Sequence, residues 1–317
     1  MSDLKLHSPD CILANECEAL FIAAEYKSKV NDRVKIIFDA HEYYTDSHRS
    51  IKSRLLGARP ADALFRNVLK LASARTTVCA ELATRYFEEY GHRFGVVRNI
   101  PIHSKQCLAL PDRDSNDKCD GVIRLIHHGV ASRSRRIDDM IRIIANTDIR
   151  YTLDLMLVSD QQYQEELRRL AMEIAPGRIT FVDPVKTVEI VETIRRYDGG
   201  LFLIPPFSFN AEMCLPNKLF EFIHAGLAVF IGPSPAMADL VRSHRCGFVA
   251  KSYDFMDMVD LLNSTSRSQI QSAQAMSQKA SGLMSGENEM DKALELWCSG
   301  GLRIVSDAGG EFTRGCG

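Results

Sequence analysis

A lysine and a glutamate stand three residues apart in the stretch LPNKLFEFIHAGLAVFIG (215–232). Pro216 suits the first helical position, so Lys218 is expected in the first turn of a helix. The helix dipole is positive at this end and favours carboxylates over ammonium groups. A cation here is therefore expected to serve a bound anion, which the backbone N–H groups and the side chain would hold together.

Glu221 lies on the same helix face as Lys218. One interpretation is an ordinary ion pair on a surface helix. The flanking residues, however, are apolar nearly all round the helix: Leu219, Phe220, Phe222 and Ile223. Such a helix is predicted to be buried, and buried charges need partners. A phosphate would satisfy the ammonium group, and a ribose diol would satisfy the carboxylate.

A second cluster of cations lies in HHGVASRSRRIDDMI (127–141). Gly129 ends a predicted strand, and a helix is expected to begin near Asp138. Three arginines lie between them: Arg133, Arg135 and Arg136. A solvated charge run is the simpler alternative. Two cationic turns in one domain favour instead a diphosphate held between them.

Ten short apolar runs predict strands at 11–14, 34–40, 76–79, 94–98, 122–128, 153–158, 179–182, 200–204, 228–231 and 247–250. Helical patterns separate many of them, as in 161–175 and 187–198. Continuous apolar strands alternating with helices are typical of parallel sheets covered on both faces. We therefore predict an α/β fold with two Rossmann-like, doubly wound domains, whose ligands bind at the carboxyl ends of the strands.

The composition changes at 101–121, a segment rich in Pro, Asp, Ser and Asn that predicts a linker. We assign 1–105 to a first domain, 106–120 to the linker, and 121–300 to a second domain with six strands. The Gly-rich end, 301–317, is predicted to be a disordered tail.

Composition and charge exclude several classes of function. The 317 residues suit two domains, and a net charge of −2 excludes nucleic-acid binding through overall charge. Nine cysteines without a CxxC pair favour reduced thiols in the cytoplasm and argue against a zinc site. His127 and His128 are adjacent and would face opposite sides of a strand. No apolar run reaches the ~18 residues of a membrane span, and no signal-peptide pattern opens the chain.

Three segments together resemble a known family: LPNKLFEFIHAGLAVFIG (215–232), HHGVASRSRRIDDMI (127–141) and YDGGLFLIPP (197–206). They are similar to the donor-binding domain of GT-B glycosyltransferases, in particular the retaining family 4. The resemblance covers most of the chain, from 10 to 300. It implies transfer of a sugar from a nucleotide-diphosphate donor, expected to be a UDP-sugar, to a glycan or lipid-linked acceptor. It also implies surface polysaccharide or glycolipid synthesis without a cofactor or metal ion.

The resemblance assigns roles to individual residues. Glu221 matches the second glutamate of the family's paired motif, expected on the nucleotide ribose. Lys218 and Arg136, or Arg135, match the cations expected on the diphosphate. Val185, in FVDPVKT (181–187), lies in the loop expected to hold the base through backbone groups. Further donor contacts are expected from Gly129, Arg133, Glu212, Pro216 and Asn217.

The chain departs from the family pattern around the donor sugar. The family's first glutamate lies eight residues before the second, where this chain has Met213. The nearest carboxylate, Glu212, is one residue out of register. Val130 stands where an arginine is usual, and Arg136 where a lysine is usual. The nucleotide contacts are therefore better supported than the sugar contacts.

The first domain offers one candidate group at the strand end DAHE (39–42). It resembles a family strand whose histidine faces the donor across the interdomain cleft, which implies that His41 contacts the donor sugar or phosphate. A polar strand end without a role is the alternative. The segment 48–75 holds seven Lys/Arg and one acidic residue, which suits peripheral contact with the anionic inner face of a membrane. A half-buried helix with basic outer positions fits equally well.

The glycine-rich turn that opens the family's first domain has no counterpart here, and about 80 residues of a usual domain are expected to be missing. We expect a truncated first domain that is naturally short, part of a longer chain, or completed by a partner, an oligomer or a membrane covering its sheet edges.

The sequence also bears on three other classes of function. A non-catalytic nucleotide-sugar-binding or regulatory subunit is the alternative, motivated by the short first domain. A nucleotide-sugar epimerase is disfavoured by the Pro-Asn-Lys helix. A metal-dependent GT-A transferase needs Asp-x-Asp after a strand, and the segment 112–114 that has this pattern lies in the predicted linker.

Overall fold

A computed structural model describes Leu4 and the ranges 7–44, 58–101 and 121–299. The chain divides into two compact units: Met1–Arg98 with Asn288–Gly317, and Asn99–Glu287. The predicted linker at 106–120 and the predicted tail at 301–317 lie outside the described residues.

The first unit is built on a four-stranded parallel sheet in the order β1-β2-β3-β4. The strands are Cys11–Asn15 (β1), Lys35–Ala40 (β2), Ala74–Thr77 (β3) and Gly95–Val96 (β4). The helices between them are Glu16–Lys29 (α1), Ala58–Leu69 (α2) and Ala80–Tyr90 (α3). Aromatic rings fill the core, with Tyr86 stacked on Phe94 at 4.3 Å and Tyr44 on Phe65 at 4.4 Å.

The second unit is built on a six-stranded parallel sheet in the order β10-β9-β8-β5-β6-β7. The strands are Ile123–Val130 (β5), Tyr151–Val158 (β6), Ile179–Val182 (β7), Gly199–Phe202 (β8), Ala228–Ile231 (β9) and Gly247–Val249 (β10). The helices are Ile137–Asn146 (α4), Gln161–Ile174 (α5), Ile190–Ile194 (α6), Phe209–Glu212 (α7), Asn217–His224 (α8), Pro235–His244 (α9), Phe255–Ser264 (α10) and Arg267–Ser281 (α11).

The last helix, Gly286–Ser299 (α12), corrects the predicted domain assignment. Its residues from 288 onwards belong with the first unit. Ala293 and Trp297 pack against Ile37 of β2 and Ala74 of β3. The predicted second domain, 121–300, includes this helix, because an amphipathic pattern does not show which sheet its apolar face will cover.

The alternation of strands and helices confirms the predicted α/β class. Each predicted strand overlaps an observed one, and both sheets are parallel. The run predicted at 76–79 is displaced, since the strand begins at Ala74 and stops at Thr77. Cys79 then takes the extended N-cap position of α3, so a β-branched run continued past the end of its strand.

The predicted membrane-binding segment, 48–75, is described only from residue 58. Two of its cations are used within the unit: the Arg66 guanidinium pairs with Asp62 at 2.9 Å, and Arg75 donates to the Leu69 carbonyl. Within the described ranges no helix is long and apolar enough to cross a membrane. Peripheral contact stays a prediction.

One glycine lets α8 lie close to the sheet. A Cβ atom on Gly200 would lie 2.3 Å from the ring of Phe222, which is fully buried. Gly199 points to the opposite face of β8, where a Cβ atom would lie 2.9 Å from the side chains of Leu125 and Phe230. Gly200 therefore sets how closely α8, with Lys218 and Glu221, lies on the strand beneath it.

We expect Gly200→Ala to lower the free energy of unfolding by about 1–3 kcal/mol, because the added methyl must displace a buried ring. Urea unfolding measures this change. Gly282→Ala is the matched control, since its nearest neighbour lies at 3.6 Å and its φ is −68°. Equal losses in the two variants would contradict close packing of α8 on β8.

Candidate functional site

The strand order of the second unit reverses between β5 and β8. From β5 the chain continues through β6 and β7 on one side, and from β8 through β9 and β10 on the other. The connections after β5 and β8 therefore diverge and leave a crevice at the carboxyl ends of these two strands. In open parallel sheets such a reversal is the usual place for a ligand.

Helix α8 begins beside this crevice. Pro216 has extended backbone angles and is the N-cap residue. The helix therefore begins at Asn217, one residue later than the sequence predicted. Lys218 is nevertheless in the first turn, as expected. Gly226 follows the C-cap residue Ala225 with a φ of +70°, the left-handed conformation of a glycine that ends a helix.

The ammonium group of Lys218 is buried directly against the ends of the two strands. The residue is 8% exposed, and its Nζ lies 4.6 Å from the centre of the Phe202 ring at the end of β8. A Cβ atom on Gly129 would lie 3.2 Å from Nζ. Gly129 also has a φ of +113°, which other residues rarely adopt. Both its conformation and its missing side chain make room for the lysine.

No described residue offers a hydrogen-bond partner to Lys218 Nζ. Burial, together with the positive charge of Arg135, lowers the pKa of this ammonium group to about 7, while Glu221 opposes the shift. A buried cation without a protein partner costs free energy. An anionic ligand at this point would remove that cost.

Glu221 is buried one turn further along α8, with 3% of its surface exposed. Burial raises the pKa of its carboxyl group to about 7, against the effect of Lys218. His128 Nε2 lies 3.4 Å from Glu221 Oε2. Burial and the charge of Lys218 lower the pKa of His128 to about 3, so this imidazole is neutral near pH 7.

The structure separates the three arginines of the second cationic turn. Arg135 donates to the Val130 carbonyl at 3.1 Å, and its charge acts on Lys218. Arg133 instead pairs with Glu166 at 2.7 Å, and Arg136 pairs with Asp139 at 2.9 Å. Residues 133–135 form a 3₁₀ turn, in which successive side chains point about 120° apart. Only Arg135 is therefore placed with Lys218 by the contacts of this turn.

Three further predicted donor contacts lie in helices and connections of the second unit. Glu212 ends the short helix α7, and its carbonyl accepts a hydrogen bond from Ser234 Oγ at 2.6 Å. Asn217 is exposed at the start of α8, and Val185 is half-buried in the connection after β7. None of these three has a described contact with Lys218, so their roles stay predictions.

His41 follows the end of β2 in the first unit. Its Nε2 lies 3.0 Å from Asp39 Oδ2, and this hydrogen bond raises the pKa of the imidazole. Thr76 donates to the other carboxylate oxygen at 2.7 Å. The His41 backbone N–H donates to Glu16 Oε1 at 3.1 Å. The histidine is thus held in place while its ring stays partly exposed, at 39%.

Sequence reasoning missed two side chains of the crevice. His128 was considered only as part of a histidine pair that argues against zinc, and Phe202 only as a strand residue. The available signal was the position of each at a strand end beside the switch point. Among the described residues, no group of three His, Cys, Asp or Glu side chains could hold a metal ion.

The comparisons with known proteins show the fold. No protein-family model and no curated protein matches the sequence. HepE from Anabaena, in complex with UDP, has a TM-score of 0.72 and 14% identity over 94% of this chain and 81% of HepE. WaaG, a glycosyltransferase involved in lipopolysaccharide biosynthesis, has a TM-score of 0.59 and 14% identity over 86% and 80%.

A third similar structure comes from E. coli and is named for trehalose-6-phosphate bound with UDP-2-fluoro glucose. It has a TM-score of 0.68 and 11% identity over 93% of this chain and 75% of that one. At such identities the likeness establishes the two-domain GT-B fold. Family 4 membership and a shortened first domain stay predictions.

We expect Lys218→Met to raise the free energy of unfolding of the free protein by about 1–3 kcal/mol near pH 7, because it removes a buried charge without a partner. The gain should shrink from pH 7 to pH 10. Over that range folded Lys218 loses its proton while the unfolded chain keeps it, so the wild type gains stability with rising pH. Urea unfolding at several pH values measures both effects.

Lys27→Met is the control, since Lys27 Nζ donates to the carbonyls of Asp32 and Val34 at 2.7 and 2.5 Å. Its replacement should lower stability. A loss of stability in Lys218→Met as well would show that Lys218 has a structural role.

Proposed function

We propose that the protein is a glycosyltransferase that moves a sugar from a nucleotide-diphosphate donor to a hydroxyl group of a glycan or lipid-linked acceptor. The observation that carries this proposal is the buried ammonium group of Lys218, which has no hydrogen-bond partner among the described residues. This group lies at the point where the strand order of the six-stranded sheet reverses. A diphosphate has the charge and the size to occupy such a point.

The cations act on the leaving group in this proposal. When the glycosidic C–O bond breaks, the electron pair stays on the diphosphate, whose negative charge grows. Lys218, Arg135 and the N–H groups at the start of α8 stabilise that charge without having to reorganise. This preorganised stabilisation supplies what a metal ion supplies in other transferases. Arg136, which pairs with Asp139, is better suited to holding the turn.

The nucleoside would extend from the diphosphate along α8. Glu221 is placed to accept hydrogen bonds from a ribose diol, and the connection after β7 with Val185 would contact the base through backbone groups. UDP is the first nucleotide to test, because HepE and the E. coli structure are described with UDP or a UDP-sugar. WaaG, named for lipopolysaccharide biosynthesis, supports a surface glycan or glycolipid as acceptor.

In the first unit, His41 is the residue to which the family resemblance assigns a contact with the donor. Its hydrogen bond to Asp39 fixes the ring and favours the protonated form, which suits a contact to the donor sugar or its phosphate. Retention of configuration rests on the family resemblance. A cytoplasmic protein in peripheral contact with the inner face of a membrane through 48–75 would meet a lipid-linked acceptor there.

We expect UDP at a hundred times its dissociation constant to stabilise the wild type by about 2.7 kcal/mol. Lys218→Met and Glu221→Gln should each lose most of this stabilisation, while Arg133→Met should keep it, because Arg133 pairs with Glu166 outside the crevice. Thermal-shift and calorimetric titrations with UDP, GDP and ADP measure it. The same affinity in wild type and both site variants would refute the proposed site.

Turnover separates the enzyme from a binding subunit. A purified chain that transfers or hydrolyses the sugar of its preferred UDP-, GDP- or ADP-sugar supports the proposal. A chain that binds the nucleotide but does neither, with lipid-linked and glycan acceptors present, would support a non-catalytic subunit.

We expect the affinity for UDP to fall between pH 7 and pH 9 in the wild type, by at most about tenfold per pH unit. Lys218, with a pKa near 7, loses its charge over this range. The terminal phosphate, with a second pKa of about 6, is already ionised. Calorimetry across this pH range measures the effect. Lys218→Met should show a shallower slope, because Glu221, with a pKa of about 7, still titrates beside the nucleotide. An equal slope in the variant would assign the pH dependence to a group other than Lys218.

A further inference from the structure

His128 is a second buried polar side chain beside Glu221. It lies on β5, next to Gly129, and is 4% exposed on its side chain. Its ring meets the ring of Phe222 edge-on, with centres 5.2 Å apart. Phe222 follows Glu221 on α8, so the packing of His128 and the position of the carboxylate are fixed by the same helix.

The Nε2 atom of His128 lies near one carboxylate oxygen of Glu221. Nε2 lies 3.4 Å from Glu221 Oε2, beyond a normal hydrogen bond, and has no hydrogen-bond partner among the described residues. Polar contacts in active sites often shorten only when the ligand binds. The imidazole is neutral near pH 7, so it carries one N–H, and we assign that hydrogen to Nε2.

A buried carboxylate with one loose contact can rotate about its terminal bond. A donor fixed on β5 would hold Oε2 and leave Oε1 turned towards a ligand in the crevice. The two groups come from different elements, the strand and the helix, so the carboxylate would be oriented by the sheet and not by α8 alone. Orientation of this kind separates a precise site from a loose one.

We propose that His128 is a positioning residue, whose Nε2–H holds one oxygen of Glu221 so that the other accepts a hydrogen bond from the ribose diol of the nucleotide. This inference rests on the proposed function, since it assumes that a nucleotide binds along α8. It adds a source of specificity: discrimination of ribose from deoxyribose nucleotides would depend on His128 as much as on Glu221.

The consequence is measurable as a ratio of two affinities. A site that is built to bond a hydroxyl group rejects the analogue without it, because a buried acceptor is then left unpaired. We expect the wild type to bind UDP roughly tenfold or more tightly than 2′-deoxy-UDP. In His128→Leu the ratio should fall to about twofold or less, because the carboxylate is no longer held. In His128→Gln, whose amide N–H can replace Nε2–H, the ratio should largely recover.

His224→Leu is the matched control for a general loss of stability. His224 is a buried histidine on the same helix, but its Nε2 contacts the Met284 carbonyl at 2.7 Å and not the Glu221 carboxylate. Its replacement should lower the melting temperature and leave the ribose discrimination unchanged. The ratio therefore reports on positioning and the melting temperature on folding. The GDP and ADP pairs are titrated in parallel in case another base is preferred.

The outcomes distinguish the inference from the function on which it rests. No binding of any of the three nucleotides by the wild type would overturn both. Equal affinities of the wild type for the ribose and deoxyribose forms, or a ratio in His128→Leu as high as in the wild type, would overturn the inference alone. A ratio lost in His128→Leu, regained in His128→Gln and kept in His224→Leu would establish it.

Discussion

One unfavourable interaction dominates the candidate site of the second unit. The ammonium group of Lys218 is buried, and it has no hydrogen-bond partner among the described residues. Lys218 sits at the positive end of α8, beside Gly129 and over the ring of Phe202, with the charge of Arg135 nearby. Burial, the positive end of the helix and Arg135 raise the free energy of the protonated side chain, and the face of the Phe202 ring offsets part of this cost. A fold keeps such a residue at the switch point of a parallel sheet when a ligand supplies the missing charge.

The elements around this lysine are arranged so that it stays in place. Gly200 brings α8 close to β8, Gly129 leaves space for Nζ, and Gly226 ends the helix. These three glycines set the position of the helix and the space around the charged group. Packing, and not hydrogen bonding, therefore holds the cation, which is why its polar end remains available.

In the first unit, hydrogen bonds hold the candidate residue, His41, in place. His41 is tied by a hydrogen bond to Asp39, which Thr76 in turn supports, and Trp297 Nε1 donates to Thr76 Oγ1 at 3.4 Å. The chain of contacts runs from the last helix, α12, to the end of β2. Helix α12 thus contributes to the surroundings of His41, more than 200 residues earlier in the chain.

The sequence alone determined the α/β class, the parallel sheets, and the placement of Lys218 and Glu221 on one buried helix, because apolar periodicity and spacing along one chain segment decide these. It could not determine which arginine meets Lys218, that His128 faces Glu221, or that α12 packs on the first sheet. Those depend on contacts between segments far apart in the chain and on the direction in which each turn points its side chains. A local sequence pattern contains no information on these contacts or on these directions, so only the tertiary structure decided them.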